Sequence, residues 1–218
     1  MTELNGPRWG PASGGPAKEL VVICHGLGAD GADLIGLAPA WGENLPDIAF
    51  SAPDAPFTHE SGFGRQWWSV MDRTPSVMEA GVRHSFPYLD RYIDAELARL
   101  NLPADRYALA GFSQGAMMVL FAGFRRAVPP LAILAYSGAL LAPQALAGEM
   151  RHKPPVLIVH GEQDDVVPPQ RSKDAEETLR DAGVEVESHY IPDLPHGIDD
   201  AGVALGAGFL RRAFATRT

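Results

Sequence analysis

The stretch Tyr107-Ala108-Leu109-Ala110-Gly111-Phe112-Ser113-Gln114-Gly115 decides the fold. Its first four residues form a short apolar run, which predicts a buried strand over Tyr107–Ala110. A G-x-S-x-G pattern follows at once, and the helical pattern of Gln114–Ala127 begins with no spacer. Such a tight turn from strand to helix holds the serine in strained backbone geometry and exposes its Oγ at the sheet edge. The stretch therefore predicts that Ser113 is a nucleophile.

The residues around Ser113 support this prediction against a simpler one. Gly111 and Gly115 lie two residues on either side of the serine, where so tight a turn leaves no room for a Cβ. The helix begins at Ser113, so its free N–H groups and dipole favour negative charge there. The alternative is that Ser113 is only a helix N-cap. We favour the nucleophile because an N-cap does not need both glycines.

The rest of the chain alternates short apolar runs with helical patterns. The predicted strands are Leu20–Cys24, Ile48–Ala52, Tyr107–Ala110, Ala132–Tyr136 and Val156–His160, with Val184–Ile191 near the sheet edge. The predicted helices are Val77–Leu100, kinked or split by Pro87, then Gln114–Ala127, Pro168–Ala182 and Val203–Ala215. This alternation predicts an α/β fold with a mainly parallel sheet covered on both faces. Ligands of such sheets bind beyond the carboxyl ends of the strands.

Composition sets limits on the class of protein. The 218 residues, 46% of them hydrophobic, suit one domain over residues 1–218, with residues 1–18 as an irregular arm. The net charge of −9 disfavours nucleic acid and strong docking to anionic membranes. We find no signal peptide and no apolar run of the roughly 18 residues that span a bilayer. With Cys24 as the single cysteine, we expect a cytoplasmic protein without integral membrane association.

A serine needs a base to take its proton, and the candidates are three His-Gly pairs: His25-Gly26, His160-Gly161 and His196-Gly197. In folds with this strand-to-helix turn at the nucleophile (the elbow), the order along the chain is serine, acid, histidine, which excludes His25 as the base. His160 ends a strand whose following loop holds the acid candidates, so we interpret it as a hydrogen-bonded structural histidine. His196 lies between the last strand and the terminal helix and is the predicted base.

The acid is sought in the loop that follows His160. Its carboxylate must accept the histidine Nδ1–H and stabilise the imidazolium. Asp164 and Asp165 are both available there, and adjacent residues point in different directions, so only one can serve. The residues alone leave this choice open.

The oxyanion of a tetrahedral intermediate needs two or more hydrogen-bond donors. One is the backbone N–H of Gln114, directly after the nucleophile. The second is predicted to be the backbone N–H of Leu27, in the loop His25-Gly26-Leu27-Gly28 that leaves an earlier strand. The alternative for this loop is an ordinary glycine-rich turn.

Four segments together resemble the carboxylesterase, lysophospholipase and acyl-protein-thioesterase family of small α/β hydrolases. They are His25–Gly31, Gly111–Ala116, His160–Pro168 and His196-Gly197, within a resemblance that runs from about Leu20 to the C-terminal helix. The family's acid is the fifth residue of its acid loop, so the resemblance selects Asp164 and implies the triad Ser113, Asp164 and His196. It also implies an α/β-hydrolase fold without a large lid domain, no metal or organic cofactor, and a small acyl ester as substrate.

The segment from Ala52-Pro53 to Trp67-Trp68 resembles the family's loop over the active site. Trp-Phe-Asp is usual there, and this chain has Trp67-Trp68-Ser69. The departure leaves the triad untouched and bears on the size and shape of the acyl pocket. We expect Phe63, Trp67, Trp68 and Ile198 to line the substrate pocket, because ligand pockets are usually apolar. For each aromatic residue, plain core packing is the alternative.

These residues predict a carboxylesterase, monomeric or homodimeric, that cleaves short to medium acyl esters through an acyl-enzyme on Ser113. A lysophospholipase or a thioesterase would use the same residues, so the sequence does not separate the three. A binding protein that has lost catalysis would be expected to lack a triad member. A metal site of His196 with Asp199 or Asp200 is a further alternative, but His-x-x-Asp is too common to carry weight.

Overall fold

The computed structural model describes residues 3–215, which contain nine strands and seven helices. The strands are β1 (Arg8–Trp9), β2 (Glu19–Cys24), β3 (Ile48–Ser51), β4 (Phe57–Thr58), β5 (Arg65–Gln66), β6 (Tyr107–Phe112), β7 (Ile133–Tyr136), β8 (Val156–Gly161) and β9 (Val186–Ile191). The helices are α1 (Gly31–Leu34), α2 (Leu37–Gly42), α3 (Pro75–Arg99), α4 (Gln114–Gly123), α5 (Pro143–Glu149), α6 (Gln170–Asp181) and α7 (Asp200–Ala215).

Seven strands form one sheet in the order β1-β3-β2-β6-β7-β8-β9, and β4 and β5 form a separate hairpin. Every pairing in the large sheet is parallel except that of β1 with β3. The predicted mainly parallel sheet is therefore confirmed, with β9 at its edge. None of the helices within residues 3–215 combines the length and apolarity needed to cross a membrane.

The strand register decides which loops lie side by side. Cys24 of β2 is paired with Gly111 of β6, so the loops that leave these two strands start next to each other. Gly161 of β8 is likewise paired with Ile191 of β9. The loop after β8 and the loop after β9 are therefore neighbours as well. All four loops leave the carboxyl ends of parallel strands, at one edge of the sheet.

The core has two parts, one on each face of the sheet. Successive strand residues point to opposite faces, and in β2 Leu20 and Val22 enter one apolar cluster while Val21 and Ile23 enter the other. The first cluster includes residues of α3, α4 and α6, and the second includes residues of α2 and α7. Helices thus cover both faces, as predicted from the alternating pattern.

The structure corrects two predictions. The N-terminal arm is not wholly irregular, because β1 pairs with β3 and the Trp9 ring packs at 5.8 Å from the Phe50 ring. Of the two alternatives predicted for Pro87, the split is wrong, since α3 continues through it and buries Val82 and Leu89 on either side, while the kink stays a prediction. The extent of the single domain over residues 1–218 stays a prediction.

Candidate active site

Ser113 connects β6 to α4 with φ of 56° and ψ of −117°, a backbone conformation that residues other than glycine rarely adopt. Its backbone N–H donates to the Tyr136 carbonyl at 2.9 Å. A Cβ on Gly111 would lie 2.4 Å from the Gly115 carbonyl carbon, and a Cβ on Gly115 would lie 1.9 Å from the Cys24 carbonyl oxygen. Both glycines are therefore required by the close approach of α4 to β6 and to the end of β2.

The structure brings Asp164 and His196 into contact. The His196 Nδ1–H donates to Asp164 Oδ2 at 2.7 Å. The other carboxylate oxygen, Oδ1, accepts the backbone N–H groups of Val166 at 3.0 Å and Val167 at 2.9 Å. Asp165 is exposed. Of the two acid candidates, Asp164 is therefore the one that orients His196.

The charge of Asp164 is set by two opposing effects. Burial of the side chain raises the pKa of the carboxyl group, while the hydrogen bonds from His196 and the Val167 N–H lower it. The balance holds the pKa of Asp164 below its usual range. The carboxylate is consequently ionised at neutral pH and can stabilise a protonated His196.

One cavity joins the predicted site residues. It has a volume of about 750 Å³ and is lined by Ser113, His196, Leu27 and Gln114 together with apolar side chains. This volume lies within the range of roughly 300–1,000 Å³ that small-molecule sites occupy. The ring of His196 also packs against Phe112, with ring centroids 4.6 Å apart. The predicted nucleophile, the predicted base and both oxyanion-hole candidates therefore border the same space.

His25 fixes the loop that carries Leu27. Its Nε2 accepts the Ala55 N–H at 2.9 Å, so the ring proton sits on Nδ1, which donates to the Gly26 carbonyl at 2.7 Å. Burial lowers the pKa of His25, which favours this neutral form. The Gly26 carbonyl and the Leu27 N–H belong to one planar peptide group, so fixing the first also fixes the direction of the second.

Gln114 has a second role that the sequence did not reveal. Its side-chain Oε1 accepts the Trp67 N–H at 2.9 Å, and its Nε2 donates to the Trp68 carbonyl at 2.8 Å. The Trp67 indole N–H in turn donates to the His25 carbonyl at 3.0 Å. The aromatic segment thus braces the elbow and the Leu27 loop from the protein interior.

The four residues predicted to line the substrate pocket lie elsewhere. Trp67 and Trp68 are buried in the core with residues of α3 and α4, because their rings fill the space behind the elbow. Phe63 lies between β4 and β5 and is 83% exposed. Ile198 packs against the second core cluster. The alternative of core packing is therefore the correct one for both tryptophans.

Other apolar residues line the cavity instead. They come from four separate parts of the chain: Val70, Met78, Met117, Leu140, Leu141 and Val167. Met117 alone carried a signal in the sequence, since it lies one helical turn after Ser113 and its N–H donates to the Ser113 carbonyl at 3.1 Å. Val167 lies within the segment His160–Pro168 and Val70 directly follows Ser69, but no pattern marks either of them as a cavity residue, and Met78, Leu140 and Leu141 are distant in sequence from every motif.

Three further histidine and aspartate candidates have defined places. His160 is fully buried and hydrogen-bonded, as predicted: its Nδ1 contacts Ser172 Oγ at 2.7 Å and its Nε2 contacts the Val167 carbonyl at 2.8 Å. Asp199, considered above as a metal ligand, accepts the Gly202 N–H at 2.8 Å through Oδ1 and so caps the start of α7. Asp200 is the first residue of that helix.

Comparisons with known proteins agree with this geometry. The family model for Phospholipase/Carboxylesterase matches residues 11–213. The esterase YpfH of Escherichia coli is 30% identical over 201 residues, which cover 90% of this chain and 83% of that protein. A Dictyostelium discoideum protein named acyl-protein thioesterase 1 homolog 1 is 29% identical, over 88% of this chain and 89% of its own.

Among solved structures, the crystal structure of esterase PE8 superimposes with a TM-score of 0.92 at 39% identity, and covers 97% of this chain and 100% of its own. The sheet order, the elbow and the match to esterases identify the fold as that of the α/β hydrolases, without a large lid domain. The chain therefore belongs to the phospholipase/carboxylesterase family.

Proposed function

We propose that the chain is a serine carboxylic ester hydrolase in which Ser113, Asp164 and His196 form the catalytic triad. One observation carries the proposal. The strained Ser113 borders the same cavity as His196, and His196 is hydrogen-bonded to the buried carboxylate of Asp164. A nucleophile beside a base that is itself oriented by a third group is the arrangement that acyl transfer needs.

The geometry assigns a role to each residue. His196 Nδ1 faces Asp164, so its Nε2 takes the proton of Ser113 as the serine oxygen attacks the ester carbonyl. The backbone N–H groups of Leu27 and Gln114 stabilise the oxyanion. The protonated His196 then gives its proton to the leaving alcohol. Water, activated by His196, releases the carboxylic acid from Ser113, and Asp164 stays ionised throughout.

The cavity and the relatives support an acyl ester as substrate. Val70, Met78, Met117 and Leu140 offer an apolar surface beside the elbow, which suits a short to medium acyl chain. The similarity to proteins named esterase agrees with this choice. The net charge of −9 disfavours nucleic acid as a partner. A cytoplasmic location and a monomeric or homodimeric state stay predictions.

A second candidate is hydrolysis of acyl thioesters or lysophospholipids by the same triad. The likeness to acyl-protein thioesterases favours the thioester, and the acyl-enzyme chemistry is shared. A panel of oxygen esters, thioesters and lysophospholipids with matched acyl chains separates these substrates. The highest kcat/KM identifies the preferred leaving group.

The proposal is tested by Ser113→Ala on nitrophenyl esters, together with fluorophosphonate labelling of the intact protein. We expect turnover to fall by several orders of magnitude and the label to be lost. The matched control is Ser137→Ala. Ser137 is also buried with a positive φ of 49°, and its Oγ has no hydrogen-bond partner within residues 3–215, so its removal should leave turnover unchanged. Near-native turnover in Ser113→Ala would overturn the proposal.

A further inference from the structure

His160 is a second histidine in contact with the acid of the proposed triad. The His160 Nε2 lies 3.1 Å from Asp164 Oδ2, the same oxygen that accepts the His196 N–H at 2.7 Å. The side chains of His160 and Asp164 are both fully buried. One carboxylate oxygen is therefore shared by two histidines, although only His196 lines the cavity.

The surroundings of His160 show where its proton lies. Nε2 faces two acceptors, the Val167 carbonyl at 2.8 Å and Asp164 Oδ2 at 3.1 Å. The lone pair of an unprotonated Nε2 would repel the lone pairs of both acceptor oxygens, so Nε2 must carry a hydrogen. Burial lowers the pKa of His160 and so favours the neutral ring, in which Nδ1 accepts the Ser172 hydroxyl at 2.7 Å.

Ser172 Oγ also lies 3.1 Å from the Gly138 carbonyl. A hydroxyl has one hydrogen, so Ser172 can donate to Gly138 only when His160 Nδ1 is itself protonated. In both states the single Nε2–H of His160 is shared between the Val167 carbonyl at 2.8 Å and Asp164 Oδ2 at 3.1 Å. The contact with the carboxylate is thus independent of which way the Ser172 hydroxyl turns.

We propose that His160 is a positioning residue of the triad, whose Nε2–H holds Asp164 Oδ2 in the place from which it orients His196. This inference rests on the proposed function. Asp164 Oδ1 accepts the Val166 and Val167 N–H groups, and Oδ2 accepts the His196 N–H and contacts His160 Nε2, so both carboxylate oxygens are held. A carboxylate held in this way cannot turn away when His196 becomes charged, and a base positioned within tenths of an ångström is what catalysis requires.

The sharpest test compares two amides at this position. In His160→Gln the side-chain nitrogen reaches the place of Nε2 and can still donate to Asp164. In His160→Asn the amide ends at the level of Nδ1 and cannot reach the carboxylate. We expect His160→Gln to stay within a few-fold of the parent, and His160→Asn to lose about 10- to 100-fold in kcat with KM unchanged. KM is unaffected because His160 lies outside the cavity lining.

The pH profile of kcat/KM distinguishes a positioning role of His160 from a purely structural one, because a purely structural role would not change the profile. Without the Nε2–H, the whole charge of Oδ2 acts on His196 and stabilises its protonated form. The acid limb of His160→Asn should therefore move to higher pH, while that of His160→Gln should stay in place. As a control, His189→Asn changes a half-exposed histidine on β9 that pairs with Glu187. This substitution should alter neither kcat nor the acid limb of the pH profile.

The outcomes separate this inference from the proposed function. Equal kcat and equal acid limbs in the two amide variants would overturn the role of His160, whether both are active or both impaired. Ser172→Ala offers an independent variant, because it keeps Nε2 but releases the other side of the ring. A partial loss of kcat there supports the proposal, and parental kinetics in both Ser172→Ala and His160→Asn would contradict it. If the parent protein shows no esterase activity and no label on Ser113, the proposed function fails as well.

Discussion

The side chain of Gln114 fastens the backbone of Trp67 to the first residue of the helix that follows the nucleophile, with Oε1 accepting the Trp67 N–H at 2.9 Å. Both groups are buried, so neither can turn to water if the bond is lost. Gln114→Leu should therefore lower the free energy of unfolding by about 1–3 kcal/mol, measured by urea denaturation. Gln163→Leu, at an exposed position, should change it by no more than about 0.5 kcal/mol. Equal effects of the two substitutions would contradict this account of the buried amide.

Asp164 and Asp165 offer a matched pair of substitutions at adjacent positions. Asp164→Asn should reduce kcat by about 10⁴-fold, because an amide cannot hold His196 in the tautomer that accepts the Ser113 proton. Asp165→Asn should leave kcat near the parent value, since this side chain is exposed. Nitrophenyl ester turnover measures both. A large loss in Asp165→Asn with little loss in Asp164→Asn would reverse the assignment of the acid.

His25 should act on the rate through the oxyanion loop. His25→Leu removes the donor that holds the Gly26 carbonyl, and we expect kcat to fall about 10- to 100-fold as the Leu27 N–H loses its fixed direction. His25→Asn places an amide nitrogen near the position of Nδ1 and should retain more activity. Similar rates in the two variants would show that the Gly26 carbonyl needs no donor.

Met78 lines the cavity, whereas its neighbour Val77 is exposed and lies outside the lining. Met78→Trp should fill part of the 750 Å³ space and shift the preferred nitrophenyl ester to a shorter acyl chain. Val77→Trp adds the same bulk one residue away and should keep the parent preference. The chain-length profile of kcat/KM distinguishes the two. An unchanged profile in Met78→Trp would place the acyl chain elsewhere.

Two buried histidines should make the protein less stable in weak acid. Burial lowers the pKa of His25 and of His160 below the value of about 6.5 for an unfolded chain. Below that pH the unfolded state binds more protons, so the stability that is fully present above pH 6.5 is lost as the pH falls. Each histidine contributes a slope of up to about 1.4 kcal/mol per pH unit.

Urea denaturation between pH 7 and 5.5 measures this slope. His160→Gln should reduce the slope by the contribution of one of the two buried histidines. His84→Gln, on an exposed part of α3, should not change the slope. A stability that is flat over this range would contradict the lowered pKa values.

The strands and the candidate triad could be predicted from the sequence because their signals are local. Each buried strand is a short apolar run, and the elbow is a contiguous pattern whose two glycines have a direct steric cause. The choice of Asp164 over Asp165 needed either a family resemblance or the hydrogen bond to His196. Without either of these, the sequence does not distinguish the two adjacent carboxylates as candidates for the acid.

The lining of the cavity could not be predicted, because it is assembled from residues that no local pattern connects. Val70, Met78 and Leu140 meet only when the helices have packed on the sheet. The prediction that Trp67 and Trp68 line the pocket was wrong for a related reason. The sequence of an aromatic pair near a site is the same whether the pair faces a ligand or the core. The contact between His160 and Asp164 joins the end of β8 to the irregular loop that follows it, so it too needed coordinates.

The contact between Gly115 and the end of β2 has a consequence for how this enzyme can change over evolution or in the laboratory. It locks the turn that carries Ser113 to the strand that precedes the Leu27 loop, so the proposed nucleophile and the proposed oxyanion-hole loop are held together through the backbone. The apolar residues that line the cavity belong to other segments, such as those around Met78 and Leu140. Selectivity can therefore drift or be engineered at those positions while the chemistry is inherited unchanged.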